Sequence, residues 1–192
     1  MRKIVFDIET TNDFAEVGSR EPAALELAIV CIYDSESDSY TSFLKSELKV
    51  LWPILERADL LIGFNIEHFD LPILAKYYSG DLSRIKSVDL LKEVKTVLGR
   101  RLKLDTLAEA TLGKKKLGHG MESLVWWKKG EVEKVRKYCI EDVKITKELY
   151  DYARTHHILK YRDGKVLKDI ALPNAPQWEI FKTSTLTHTL PF

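Results

Sequence analysis

Three short pieces of the chain place acids inside apolar surroundings. Asp7-Ile8-Glu9 closes an apolar run, Asn65-Ile66-Glu67-His68-Phe69-Asp70 follows another, and Tyr138-Cys139-Ile140-Glu141-Asp142 lies in an amphipathic segment. A buried, unpaired carboxylate is costly, so it takes up a proton or finds a cation. Several converging carboxylates with few cationic residues beside them point to bound metal, and bound metal points to hydrolysis of something anionic.

Taken singly, each piece also has a plainer reading. Asp7 and Glu9 are two apart on an expected strand, so both side chains leave the same face. They stand at its C-terminal end, where open α/β sheets tend to place ligands. A strand running out into solvent would look the same. Asp142 is placed by the helical period: at 100° per residue, Val135, Tyr138, Cys139, Thr146, Leu149, Tyr150 and Ala153 form one apolar stripe, with Asp142 near its centre. Tyr138, one turn earlier, reaches the same place. The plainer alternative is a structural Tyr–Asp pair bonded to a loop. For Asp70 and Asn65 the plain reading is a helix N-cap and a turn residue. His68 reads as a surface or supporting side chain rather than a ligand.

The elements that position these residues follow from periodicity. Residues 2–9 read as a strand with Ile4, Phe6 and Ile8 on one face and Val5, Asp7 and Glu9 on the other. Residues 25–33, almost wholly apolar, give an interior strand, and 39–44 a third, so the first three strands form an antiparallel meander. A helix is expected over 46–57, a short buried strand over 59–64, a helix over 67–78 whose regular part starts near Asp70, and a strand over 87–90. Helices over 91–98 and 104–112 flank Arg100-Arg101-Leu102-Lys103. A Lys/Gly loop spans 113–120, and the longest helix spans 131–154. The division expected is a domain over residues 1–159 and an appendage over 160–192. The appendage holds an Asp163-Gly164 hairpin and a tail with Pro173, Pro176 and Pro191, packed on the domain or extending from it.

Together the acidic pieces resemble the DEDDy group of 3′–5′ exonucleases in the ribonuclease H-like superfamily. The wording is most similar to the proofreading exonuclease domain of family B DNA polymerases: Phe6-Asp7-Ile8-Glu9-Thr10, then Gly63-Phe64-Asn65 through Phe69-Asp70-Leu71-Pro72, then Tyr138-x-x-x-Asp142. The likeness covers roughly residues 1–155. Position 137, where a DEDDh relative has His, is Lys. No polymerase palm or fingers follow before Phe192, so the expectation is a stand-alone exonuclease.

The resemblance implies an α/β fold: a mixed five-stranded ribonuclease H-like sheet, with strands 1–3 antiparallel, flanked by helices. It implies a catalytic set of Asp7, Glu9, Asp70, Tyr138 and Asp142, and two divalent cations, Mg²⁺ or Mn²⁺, held by the four acids about 3.5–4 Å apart. Asp7 would bridge both ions, Glu9 and Asp142 would hold the one that activates water, and Asp70 would help hold the other beside the leaving 3′-oxygen. Tyr138 would orient the water. Thr10, Phe64 and Asn65, inside the same motifs, are the substrate-binding candidates. The expected partner is the 3′ end of single-stranded DNA, released as nucleoside 5′-monophosphates. RNA is the alternative substrate, because no feature measures a 2′-hydroxyl. A catalytically inactive nucleic-acid-binding module is the reading from another class, and the presence of all five residues argues against it. A structural Ca²⁺ site is disfavoured because such sites draw ligands from a compact loop.

Composition agrees. At 45% hydrophobic and 31% charged, the 192-residue chain reads as globular and neither disordered nor membrane-embedded. No apolar run approaches the roughly 18–20 residues of a membrane span, and the apolar stretch at the N-terminus is too short for a signal peptide. Cys31 and Cys139 sit in apolar periodic segments and read as free buried thiols, so the expected location is a reducing one, the cytoplasm or nucleoid. Charge is uneven: residues 1–70 carry 6 Lys/Arg and 14 Asp/Glu, and residues 71–192 carry 24 and 15. An acidic site beside a basic half suits an enzyme that holds metal and then a polyanion. An unevenly solvated surface fits equally well. Lys103, Lys114, Lys115 and Lys116 are possible phosphate contacts, and Phe14, Phe64 and Trp126 possible stacking platforms. The lysine run reads first as a solvated loop, and Trp126-Trp127 as core plus rim.

Overall fold

The computed structural model describes residues 1–114 and 120–181. Lys115, Lys116 and Pro191, with the rest of the tail from 182, lie outside the described residues. The elements in chain order are β1 (Lys3–Thr10), α1 (Phe14–Val17), β2 (Leu27–Asp34), β3 (Ser39–Leu44), α2 (Leu48–Glu56), β4 (Leu60–Gly63), α3 (Asp70–Ala75), β5 (Ser87–Asp89), α4 (Leu90–Leu98), α5 (Leu104–Leu112), α6 (Gly120–Lys128), α7 (Val132–His156), β6 (Ile158–Asp163) and β7 (Val166–Ala171).

Five strands form one mixed sheet in the order β3-β2-β1-β4-β5. The pairs β1–β2 and β2–β3 are antiparallel, and β1–β4 and β4–β5 are parallel. The meander expected from the sequence is therefore present, and β2, buried along its whole length, is an interior strand. The parallel arrangement brings the C-terminal ends of β1, β4 and β5 to one edge of the sheet.

The alternation in β1 divides the core. Ile4, Phe6 and Ile8 enter a cluster with Leu51 and Leu55 of α2 and Ile73 and Leu74 of α3. Val5 enters the opposite cluster with Val135, Cys139, Val143 and Leu149 of α7, Leu107 of α5 and Val94 of α4. Asp7 and Glu9 share the Val5 face, so α7 runs across the face from which they project.

Two local constraints bear on the site. Gly63 closes β4 where a Cβ would meet Ile66 Cγ2 at 2.1 Å and the Phe6 carbonyl at 3.0 Å, so no side chain fits. Asn65 then turns the chain in the left-handed region, φ 69°, which Asn tolerates better than most residues. Helix α6 is a departure from the sequence expectation, which had a loop to Gly120 and no element before 131. Its Leu124-Val125-Trp126-Trp127 is continuously apolar, so it lacks the alternation of faces that marks a helix.

The β6–β7 hairpin pairs across the Asp163-Gly164 turn, with Asp163 opposite Val166. Leu159, Tyr161, Ile170, Leu172, Ala175 and Trp178 join the α7-side core. Glu179 accepts hydrogen bonds from Lys3 Nζ at 2.9 Å and the Tyr150 hydroxyl at 2.8 Å, and Trp178 stacks on Tyr150 at 5.5 Å between ring centroids. Among the described residues no helix is long and apolar enough to cross a membrane.

Candidate active site

The end of β1 and the middle of α7 build the centre of the site. Asp7 and Glu9 leave the same face of β1 just before the pairing with β2 shifts register between Glu9 and Thr10. Tyr138 and Asp142 are one turn apart on the buried side of α7. Carboxylate oxygens of Asp7, Glu9 and Asp142 lie within 4.8 Å of one another. The first two acids are half-buried, while Asp142 and Tyr138 are buried.

Asp70 stands outside that group of three. It is the first residue of α3 and is buried at 2% exposure, with Oδ1 lacking a hydrogen-bond partner among the described residues. The cap position belongs to Phe69, and no side chain caps the helix, so the plain N-cap reading of Asp70 is incorrect. The acid has no capping role that would account for its burial.

The electrostatics are those of crowded like charges. Burial is the largest influence on Asp7, followed by the charges of Asp70, Asp142 and Glu9, and together they hold its pKa well above the usual carboxylate range. Burial and the charge of Asp89 raise Asp70 likewise, partly offset by the amides of Asp70 and Ile8. Burial, then Asp142, Glu9 and Asp7, raises the Tyr138 phenol, which stays protonated and able to donate. The Cys139 thiol approaches the Asp7 carbonyl at 3.4 Å and Oδ2 at 3.6 Å from inside the core. Both cysteines are buried free thiols, as their apolar settings suggested.

Neighbouring elements hold this frame. Ser123 of α6 donates to Glu9 Oε2 at 2.6 Å, and Trp126 packs edge-on against Tyr138 at 5.9 Å. Trp126, half-buried, thus packs directly beside the candidate site residue Tyr138. Phe14 packs against Phe69 at 6.3 Å, and Lys114 pairs with Glu148 at 2.6 Å. Thr10 donates to the Asn12 carbonyl at 2.8 Å, and Phe64 and Asn65 are half-buried at the end of β4. His68 is exposed.

Asp89 escaped the sequence reading. Its carboxylate accepts from the amides of Asn65 at 2.8 Å, Glu67 at 3.1 Å, Leu91 at 3.0 Å and Lys92 at 3.2 Å. It caps α4 and fixes the turn that carries Asn65. The signal available was an Asp immediately before an amphipathic helix, which marks a cap.

The donor set suits a hard divalent ion. Oxygen ligands from separate segments converge, the set itself is wholly acidic, and one buried oxygen of Asp70 has no partner among the described residues. The fold and site are those of an α/β protein with an acidic centre at the C-terminal edge of a mixed sheet. A family model described as the RNase_H superfamily matches residues 4–154, and the chain belongs to that superfamily. Among solved structures the chain is similar to the family B DNA polymerase from the hyperthermophilic archaeon Pyrobaculum calidifontis, with a TM-score of 0.62 and 18% identity over 80% of this chain. The chain spans 24% of the length of that polymerase. No curated protein matches it.

Proposed function

We propose that the protein is a DEDDy-type 3′–5′ exonuclease that removes nucleoside 5′-monophosphates from the 3′ end of single-stranded DNA. The observation that carries this reading is the gathering of Asp7, Glu9 and Asp142 within 4.8 Å, with Tyr138 one helical turn from Asp142. Membership of the RNase_H superfamily supports nuclease chemistry, and the order of the acidic motifs supports the subtype.

Asp7, Glu9, Asp70 and Asp142 would hold two Mg²⁺ or Mn²⁺ ions, with Asp7 shared. Divalent ions at such a site lower the pKa of water and stabilise charge on a phosphate in flight. The carboxylates supply fixed positions and a local field that cations relieve. Tyr138 keeps its proton and donates from the α7 side, which suits it to orient the attacking water oxygen. Ser123 fixes the Glu9 carboxylate. Thr10 at the end of β1, with Phe64 and Asn65 just past the end of β4, would contact the terminal nucleotide. The division of labour follows: residues 1–159 carry the chemistry, and residues 160–181 brace α7 through Glu179 and Trp178.

The test is a 5′-labelled strand, as DNA and as RNA, incubated with Mg²⁺, Mn²⁺ or chelator. The expected result is a ladder shortening from the 3′ end, stronger on DNA, abolished by chelator and by Asp7→Ala. Binding without shortening under either metal would identify an inactive module and overturn the reading.

A further inference from the structure

A second cavity opens on the same sheet edge as the acidic centre. Its volume is about 410 Å³, and Asn65, Glu67, Asp89, Lys92, Lys95 and Arg101 are among its lining. Strands β1, β4 and β5 run parallel, and Asn65 and Asp89 stand at or just past the ends of β4 and β5. Adjacent strands are about 4.8 Å apart, so the β5 end lies roughly 10 Å from β1 along that edge. The cavity therefore lies beside the acidic centre, two strands along the same edge.

Its charges are not all available. Asp89 is spent on four backbone amides. Glu67 accepts from Lys92 Nζ at 2.5 Å and from the Ser87 hydroxyl at 3.1 Å. Two cations remain. Lys95 has no ion-pair partner among the described residues. Among those residues Arg101 contacts only a neutral oxygen, Asn65 Oδ1 at 2.7 Å, so most of its five donors are unused. Arg101 thereby ties the cavity to Asn65, whose backbone is already fixed by Asp89.

We infer that this cavity binds a backbone phosphate of the single strand on the 5′ side of the scissile linkage, through Lys95 and Arg101. The 5′ direction follows because a terminal nucleotide with a free 3′-hydroxyl has no second phosphate, so any other phosphate lies upstream. The inference rests on the exonuclease reading for that direction, and it names two phosphate-binding residues absent from the acidic motifs.

The test measures fluorescence anisotropy of a 5′-labelled octathymidylate, in Mg²⁺, on Asp7→Asn protein with and without Lys95→Ala plus Arg101→Ala. Two phosphate contacts on a single strand contribute about 1.4 to the slope of log affinity against log salt, which is about 25-fold in affinity at 0.1 M. The expected result is a loss near that size and a slope shallower by about 1.4. Lys49→Ala plus Arg57→Ala, on exposed positions at α2 against the other sheet face, removes the same charge and is expected to change affinity less than threefold. Equal affinity and slope with and without the cavity pair, an equal loss in the α2 control, or no binding by the parent each overturns the inference. Hydrolysis is read separately, on protein that retains Asp7. A strand that is bound through the cavity pair but never shortened by that protein sinks the exonuclease reading alone. Shortening with a KM unmoved by the pair sinks the cavity alone.

Discussion

Replacing Asp7 by Asn should make the metal-free protein more stable while abolishing its activity. The substitution keeps the side-chain shape and removes one charge from a group of three carboxylates whose oxygens lie within 4.8 Å. At an effective dielectric near 20, one such pair repels by about 3.5 kcal/mol. The folded protein avoids part of this by holding a proton, the reason burial and neighbouring acids raise the Asp7 pKa. The net gain from Asp7→Asn should then be about 2 kcal/mol, or roughly 4–8 °C in melting temperature for a domain of this size. Divalent ions relieve the same repulsion. At a concentration 100 times its dissociation constant, an ion stabilises by about 2.7 kcal/mol, and the variant should lose most of that increment. The assay is thermal unfolding by circular dichroism, in chelator and in Mg²⁺ or Mn²⁺, for both proteins. The reasoning is refuted if the Asp7→Asn variant melts below the parent in chelator, or if metal raises both melting temperatures alike.

On the proposed mechanism Tyr138→Phe should lower turnover about 100-fold with little change in KM, since it would remove the donor assigned to orient the water while leaving the packing against Trp126. Steady-state kinetics on a labelled strand checks this. Gly63→Ala should destabilise the fold by about 1–3 kcal/mol, because its Cβ would overlap Ile66 and crowd the Phe6 carbonyl; chemical denaturation measures it. Glu179→Gln should weaken the brace from the tail to α7. Burial raises the Glu179 pKa, but Lys3, Tyr150 and Arg154 outweigh it and leave the value lowered. A lowered folded value means that Glu179 stabilises the protein above the ordinary Glu range and loses that contribution as pH falls through the folded value. The difference in unfolding free energy between parent and Glu179→Gln should therefore shrink on acidification below about pH 4.3, which a denaturant series at several pH values would show.

Much of the candidate site was legible because its residues break the rules of their elements. Asp142 stands in an apolar stripe that a helical period makes visible, and Asp7 and Glu9 share a face by the two-residue period of a strand. Asp70 was less legible, since an Asp at a helix start has an ordinary capping role; its burial, with one oxygen unpartnered among the described residues, is a property of the fold. The meander followed from alternation in β1 and the unbroken apolar run of β2. Helix α6 did not, because four consecutive apolar residues carry no period. Arg101, and the reach of Asp89 beyond the helix it caps, were hidden for a different reason. Their meaning lies in contacts to Asn65 from 24 and 36 residues away, and no local pattern encodes such contacts.

The most direct measurement is an anomalous difference map from a crystal of the protein soaked in Mn²⁺. The account predicts a peak among the carboxylates of Asp7, Glu9 and Asp142, within roughly 2.0–2.6 Å of ligating oxygens, the span of Mg²⁺ and Ca²⁺ distances, and no such peak in the Asp7→Asn variant. Saturating Mn²⁺ with no density between those side chains, while surface acids elsewhere are occupied, would contradict it.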